Sequence, residues 1–131
     1  MRVVIDANIA VQIAISNDLG PLEGHQLLAP PLLRAEALSS ISEMTYRGEI
    51  PADAGRAAIL RVSDIDIELD RPRTLDARAW DLARSLGWAK TYDAEYVALA
   101  LIHRIPLITL DARLRRGAGH LVSMPLVTEL G

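Results

Sequence analysis

Four acidic residues stand where apolar stretches of this chain begin or end. Asp6 directly follows "VVI", Glu36 lies in "PPLLRAEALSSI", Asp93 opens "DAEYVALALI", and Asp111 directly follows "PLITL". A carboxylate drawn out of water without a partner is costly. Each acid also has an ordinary structural reading. Asp93 is a charge that the macrodipole favours at a helix start, Asp6 and Asp111 are turn formers at strand ends, and Glu36 points to solvent. Jointly these readings lose ground, because clustered carboxylates repel one another unless a cation sits among them. There is no cysteine, and the three histidines (His25, His103, His120) are scattered, which disfavours zinc. Oxygen-only ligation suits Mg²⁺ or Mn²⁺. Asn8, two residues after Asp6, and Thr109, two before Asp111, can orient a carboxylate or a bound water. Acid-clustered Mg²⁺ sites act mostly on phosphate esters, where the metal neutralises phosphate and lowers the pKa of a water, so no histidine or lysine base is required.

The elements that must position these residues alternate short apolar runs with helical patterns. "RVVI" (Arg2 to Ile5) reads as a buried parallel strand, "NIAVQIAI" as a helix, and "QLLA" before Pro30-Pro31 as a second strand. A helix is expected from Pro31, at its first position, to Arg47, with Leu33, Ala37, Ile41 and Met44 on one face and Gly48 ending it. Glu36 lies about one turn in, with Ser39 and Ser40 at offsets that share its face. "PADAGRAAILRV" is a further helix with Gly55 a weak spot, and "DIDIELD" alternates with period two as an acidic edge strand. Thr74 caps a helix carrying Leu75, Ala79, Leu82 and Leu86, ended by Gly87. Thr91 caps the next, Tyr92 to Arg104, apolar nearly all round and therefore buried. "PLITL" is a strand, "DARLRRG" a short helix or turn, and "HLVS" or "PLVT" a last strand. Strands separated by helices imply a three-layer α/β/α sandwich with a mostly parallel central sheet. Its functional crevice lies beyond the carboxyl ends of the strands. Asp6 and Asp111 therefore share one sheet edge.

The chain has 131 residues, which reads as one domain over 1–131 with a real core. Without phenylalanine that core must be aliphatic. The absence of cysteine fits a reducing cytosol. The N-terminal apolar stretch, broken by Asp6, Asn8 and Gln12, reads as neither signal peptide nor membrane span, so a soluble cytoplasmic protein is expected. The net charge of −3 argues against a basic protein that coats DNA, but not against a local basic strip. Thirteen of the fourteen cationic residues are arginine and Lys90 is the other. Arg113 and Lys90 flank the acids and are candidates to meet phosphate. Trp80 and Trp88 could stack on bases, although burial in the core or a dimer interface is the commoner use. Tyr46, Tyr92 and Tyr96 read as core or rim, and His103 as a group that compensates a helix dipole.

"VVIDAN", "APPLLRAEAL", "TYDAEYVALA" and "PLITLDARL" resemble, in that order, the motifs of PIN-domain ribonucleases, nearest to the VapC-like toxins of toxin–antitoxin pairs. The resemblance spans nearly the whole chain. It implies a PIN-like fold and a Mg²⁺- or Mn²⁺-dependent endoribonuclease that cuts single-stranded RNA, often tRNA or rRNA. The family's acids fall on Asp6, Glu36, Asp93 and Asp111, as catalytic and metal-binding positions, and its supporting polar positions on Asn8 and Thr109. It also implies a homodimer neutralised by a small antitoxin whose tail covers the site. Ser39 stands where many relatives carry asparagine, and the segment before Gln26 is short and bears Gly and Pro.

Three rivals are weaker. A phospho-acceptor domain of the response-regulator type wants adjacent acids after the first strand and a lysine near the last one, whereas Ala7 follows Asp6 and Lys90 stands elsewhere. A degenerate PIN-like module that binds RNA without cutting it need not keep all four acids. Haloacid-dehalogenase-like phosphatases want Asp-x-Asp where this chain has Asp6 and Asn8.

Overall fold

A computed structural model describes residues 1–130. Its centre is a parallel sheet of four strands: β1 (Arg2–Ile5), β2 (Gln26–Ala29), β3 (Ile67–Leu69) and β4 (Leu107–Ile108), in the order β3-β2-β1-β4. Val3, Val4 and Ile5 of β1 are fully buried on both faces. That is how a continuous β-branched run is used in a parallel sheet. β3 lies at an edge with Glu68 exposed, as the alternation of "DIDIELD" indicates.

Six α-helices connect and cover the strands: α1 (Ala7–Ser16), α2 (Leu33–Tyr46), α3 (Ala52–Asp64), α4 (Leu75–Leu86), α5 (Tyr92–His103) and α6 (Ala112–Ala118). The chain steps one way across the sheet from β1 to β2 to β3, then jumps back past both to β4. Right-handed crossovers place the helices of the two journeys on opposite faces. α1, α2 and α3 accordingly pack together, with Val11, Ala14, Ala37, Ile41, Ala58 and Val62 forming their own apolar cluster. α4 packs on α5, and α5 lies against β1 and β4. The reversal falls between β1 and β4, the place where a crevice opens at the carboxyl edge of such a sheet.

Local chemistry explains the helix ends. Asp6 caps α1 and Asp111 caps α6 through their carboxylates. Gly48, just past α2, takes φ +75°, which glycine adopts at no steric cost. Gly55 is a packing requirement rather than a weakness. A Cβ there would sit 2.5 Å from Thr45 Oγ1, so its absence lets α3 approach α2.

Four expectations need correction. No fifth strand forms from "HLVS" or "PLVT": Leu107 N–H donates to Ser123 O at 2.9 Å, but ladder pairing does not follow, and Val127–Leu130 is a 3₁₀ turn. "PLITL" contributes only Leu107 and Ile108 to the sheet, because its neighbour β1 ends at Ile5, which pairs with Ile108. α2 begins at Leu33 rather than Pro31, after a turn in which Leu33 N–H donates to Pro30 O. Thr74 and Thr91 occupy N-cap positions without a capping hydrogen bond from their side chains. Among the described residues no helix is long and apolar enough to cross a membrane.

Candidate functional site

Because β1 and β4 pair in parallel with Ile5 beside Ile108, the residues that follow them emerge side by side. Asp6 is 7% exposed and Thr109 1% exposed, the two buried polar side chains of the described chain. The Thr109 hydroxyl donates to Asp6 Oδ2, Ile9 N–H donates to Asp6 Oδ1 at 3.1 Å, and Asp111 N–H donates to Thr109 Oγ1 at 3.0 Å. One hydroxyl thus ties the two strand ends together. Asp111 Oδ1 accepts from Arg113 N–H at 2.8 Å and Leu114 N–H at 3.3 Å. Arg115 fastens the same corner, donating from its guanidinium to Thr109 O at 2.8 Å and to Met124 O.

The first turns of α2 and α5 bring the other two acids over this corner. Asp6, Glu36, Asp93 and Asp111 all line a cleft of 570 Å³, together with Asn8, Ser39 and Lys90. Arg113 lies on an adjoining compartment that shares Glu36, Asp93, Asp111 and Lys90 with the cleft. Thr109 is behind the cleft wall and acts on it through Asp6. The turn-forming reading of Asp6 and Asp111 holds too, and the turns are helix caps: one oxygen of each serves the backbone. Asp93 sits on the exposed mouth rather than in a packed face, although Val97 and Ala100 below it are buried.

The charges push against each other. Burial pushes the Asp6 carboxyl above its ordinary value; the Thr109 and Ile9 hydrogen bonds oppose the rise, and the Asp93 and Asp111 charges add to it. Glu36 is raised by burial, then by Asp93 and Asp6, against the pull of a hydrogen bond from Tyr96. Asp93 is raised by partial burial and by Asp111, and lowered by Arg113. Carboxylates that disfavour their own charged forms are what a divalent cation would relieve.

Two lining residues escape a sequence reading. The Tyr96 hydroxyl donates to Glu36 Oε1 at 2.6 Å, from a ring 1% exposed, and burial followed by Glu36 drives its own pKa far upward, so it stays protonated. Its signal was its position three residues after Asp93, on the same helical face. Glu43 adds a fifth carboxylate, seven residues after Glu36, two turns along α2. Other expectations sort as follows. Trp88 is half-buried against the core, as expected. Trp80 is 58% exposed under the Arg84 guanidinium, outside the core. His103 Nε2 lies 2.6 Å from Asp70 Oδ2, a specific pairing rather than a general dipole contact.

The donor atoms that line the cleft decide whether a divalent ion fits. Among the described residues no three His, Asp or Glu side chains converge closely enough to enclose an ion alone. Mg²⁺ does not ask for that: it keeps several waters and takes one or two carboxylates directly. An oxygen-only cleft with Asp93 free of hydrogen bonds and a second oxygen of Asp111 without a backbone partner fits such binding.

Comparison with known proteins gives a consistent set of likenesses. The family model for the PIN domain matches residues 3–119. Ribonuclease VapC12 of Mycobacterium tuberculosis is 28% identical over 130 residues, 95% of this chain and 98% of the relative. PAE2754 from Pyrobaculum aerophilum superposes with a TM-score of 0.75 at 22% identity, covering 99% of this chain and 92% of that one. VapBC2 from Rickettsia felis, bound to a DNA fragment from its promoter, superposes with a TM-score of 0.69 at 13% identity, covering 96% and 98%. At these identities the two structures are likenesses of fold.

Proposed function

This chain belongs to the PIN-domain family, and on that premise we propose that it is a Mg²⁺- or Mn²⁺-dependent endoribonuclease, the toxin of a toxin–antitoxin pair. The observation that carries the reading is the meeting of Asp6, Glu36, Asp93 and Asp111 in one cleft at the reversal point of the sheet. The likeness to a protein named a ribonuclease, over nearly the full length of both chains, supports the substrate class. The likeness to a VapBC protein supports a small antitoxin as partner. The substrate is RNA, with tRNA and rRNA the first to examine, and the working form is a homodimer.

Asp6, Asp93, Asp111 and Glu36 are the residues that would hold the ion. When bound, it supplies charge neutralisation at the scissile phosphate and a water acidic enough to attack near neutral pH. The protein's own residues prepare the rest. Thr109 and the Ile9 amide hold the Asp6 carboxylate in one orientation, so no reorganisation is needed when substrate arrives. Tyr96 fixes Glu36 through a hydrogen bond to Oε1, which holds its carboxylate facing the cleft. Asp93 is placed at the mouth, where substrate enters.

The test is cleavage by purified protein freed of antitoxin, followed by analysis of the new RNA ends. Attack by water leaves a 3′-hydroxyl and a 5′-phosphate, and chelator abolishes it. Cyclic phosphate ends, or cleavage undiminished in chelator, would show that this mechanism is wrong.

A further inference from the structure

The acid cleft continues sideways into a compartment of 560 Å³, walled by the turn between α4 and α5 and by the start of α6. That volume is in the range, about 300–1,000 Å³, that seats a small organic ligand. Its composition is unlike that of the main cleft. Five carboxylates face the main cleft, and a polyanion approaching them is repelled. The side compartment sets two cations, Lys90 and Arg113, against three of those carboxylates, Glu36, Asp93 and Asp111, whereas the main cleft sets Lys90 against all five. Lys90 is the sole lysine of the chain and is exposed. Arg113 is 3.7 Å from Asp111 Oδ1 with its side chain 84% exposed, a loose pairing that leaves the guanidinium able to turn to another anion.

Tyr92 stands at the junction of the two spaces, lining both. It is 54% exposed at the start of a helix that is otherwise largely buried, in a chain with only five aromatic residues. Trp88 also lines the side compartment, half-buried and seated tightly on α6: a Cβ on Gly117 would come within 3.1 Å of its ring. A fixed wall, an open aromatic face and two mobile cations beside the acids match the parts that bind single-stranded nucleic acid.

Resting on the ribonuclease reading, we infer that this compartment seats the nucleotide next to the scissile phosphate, its base stacked on Tyr92 and its phosphate between Lys90 and Arg113. Tyr92 is then a positioning residue for substrate. Stacking needs a base whose face is free, so the seat accepts an unpaired nucleotide and rejects the same nucleotide in a duplex.

The experiment measures binding of a short single-stranded oligoribonucleotide in Mg²⁺, on an Asp93→Asn background, with an abasic site placed at each position in turn. With Tyr92 intact, one abasic position should weaken binding by about 5- to 150-fold. Tyr92→Ala should weaken binding of the intact oligomer similarly and erase the penalty at that position, whereas Tyr92→Phe should keep both. Lys90→Ala and Arg113→Ala should each lower the slope of log affinity against log salt by about 0.7, without altering the abasic pattern. Tyr92→Ala should leave duplex binding unchanged. An abasic penalty that survives Tyr92→Ala overturns the seat while leaving the nuclease reading intact. A protein that binds none of the oligomers overturns both.

Discussion

Thr109→Val isolates the hydroxyl that joins the two strand ends. Valine fills nearly the same space at a position 1% exposed, so no cavity opens and the β-branched shape suits the strand end. What is lost is a donor to Asp6 Oδ2 and an acceptor for Asp111 N–H. A hydrogen bond to a charged group contributes about 1.5–3 kcal/mol, and an amide deprived of its acceptor adds about 1 kcal/mol where water reaches it in part. The sum is about 2.5–4 kcal/mol at neutral pH, or a fall in Tm on the order of 10 °C for a chain this size. The loss depends on pH. The Asp6 carboxyl is already raised above 3.8 by burial, and removing Thr109 raises it further, so the folded variant holds a proton that the unfolded chain gives up. Its deficit is therefore largest at neutral pH and shrinks as pH falls through the folded pKa. Below 3.8 the acid is neutral in both states, and about 0.5–1.5 kcal/mol of ordinary hydrogen bonding should remain lost. Thermal or urea unfolding of metal-free protein across pH measures this, with Thr109→Ser, which keeps the hydroxyl, as companion. A Thr109→Val protein as stable as the native one at pH 7, or a deficit that is flat with pH, would refute the role given to Thr109.

Two further expectations follow from the same charges. Asp93→Asn should abolish cleavage yet leave the metal-free protein melting at an equal or higher temperature, because it removes a carboxylate that Asp111 repels; a lower Tm with activity kept would make Asp93 only a helix-start charge. In the native protein without metal, Asp6, Glu36 and Asp93 all have raised pKa values, so stability should increase as pH is lowered from neutral through those raised values toward the ordinary carboxylate values of 3.8 and 4.5, the reverse of ordinary acid denaturation. Saturating Mg²⁺ should raise Tm most at the upper end of that range; a pH profile that metal leaves unchanged counts against the ion site.

The legible parts of the fold were those that depend on local pattern. A β-branched run ending in Asp6, and a second apolar run ending in Asp111, identify two strands whose carboxyl ends carry acids, and Glu36 follows from helical spacing. What sequence could not give was which strands touch. The order β3-β2-β1-β4 puts the first and last strands side by side although 103 positions separate Ile5 from its partner Ile108, and that pairing makes a site out of two ordinary strand ends. The unexpected end of β4 has the same origin. The apolar run "PLITL" would carry the strand onward, but its neighbour β1 ends at Ile5 beside Ile108, and Thr109 instead donates its hydroxyl to Asp6, a partnership that leaves no local trace.

Tyr96 shows the limit from the other direction. Helical periodicity assigns it correctly to the buried face of α5, and a buried tyrosine reads as core. Its hydroxyl nevertheless finds Glu36, sixty residues away on α2. The same ring is thus a core residue by its carbon atoms and a site residue by its oxygen. That double use has a physical cause. A hydroxyl at the end of a buried ring needs a partner, and the carboxylate of a desolvated acid needs a donor. Placing one against the other satisfies both without spending a further residue. The pairing also makes the cleft wall part of the core, so the orientation of Glu36 is held by the packing of α5 against the sheet rather than by surface contacts. The four acids at the sheet's edge are therefore held to different degrees: Asp6 and Glu36 are clamped by Thr109 and Tyr96, Asp111 is half committed to its helix cap, and Asp93 accepts no hydrogen bond among the described residues and is left to what enters.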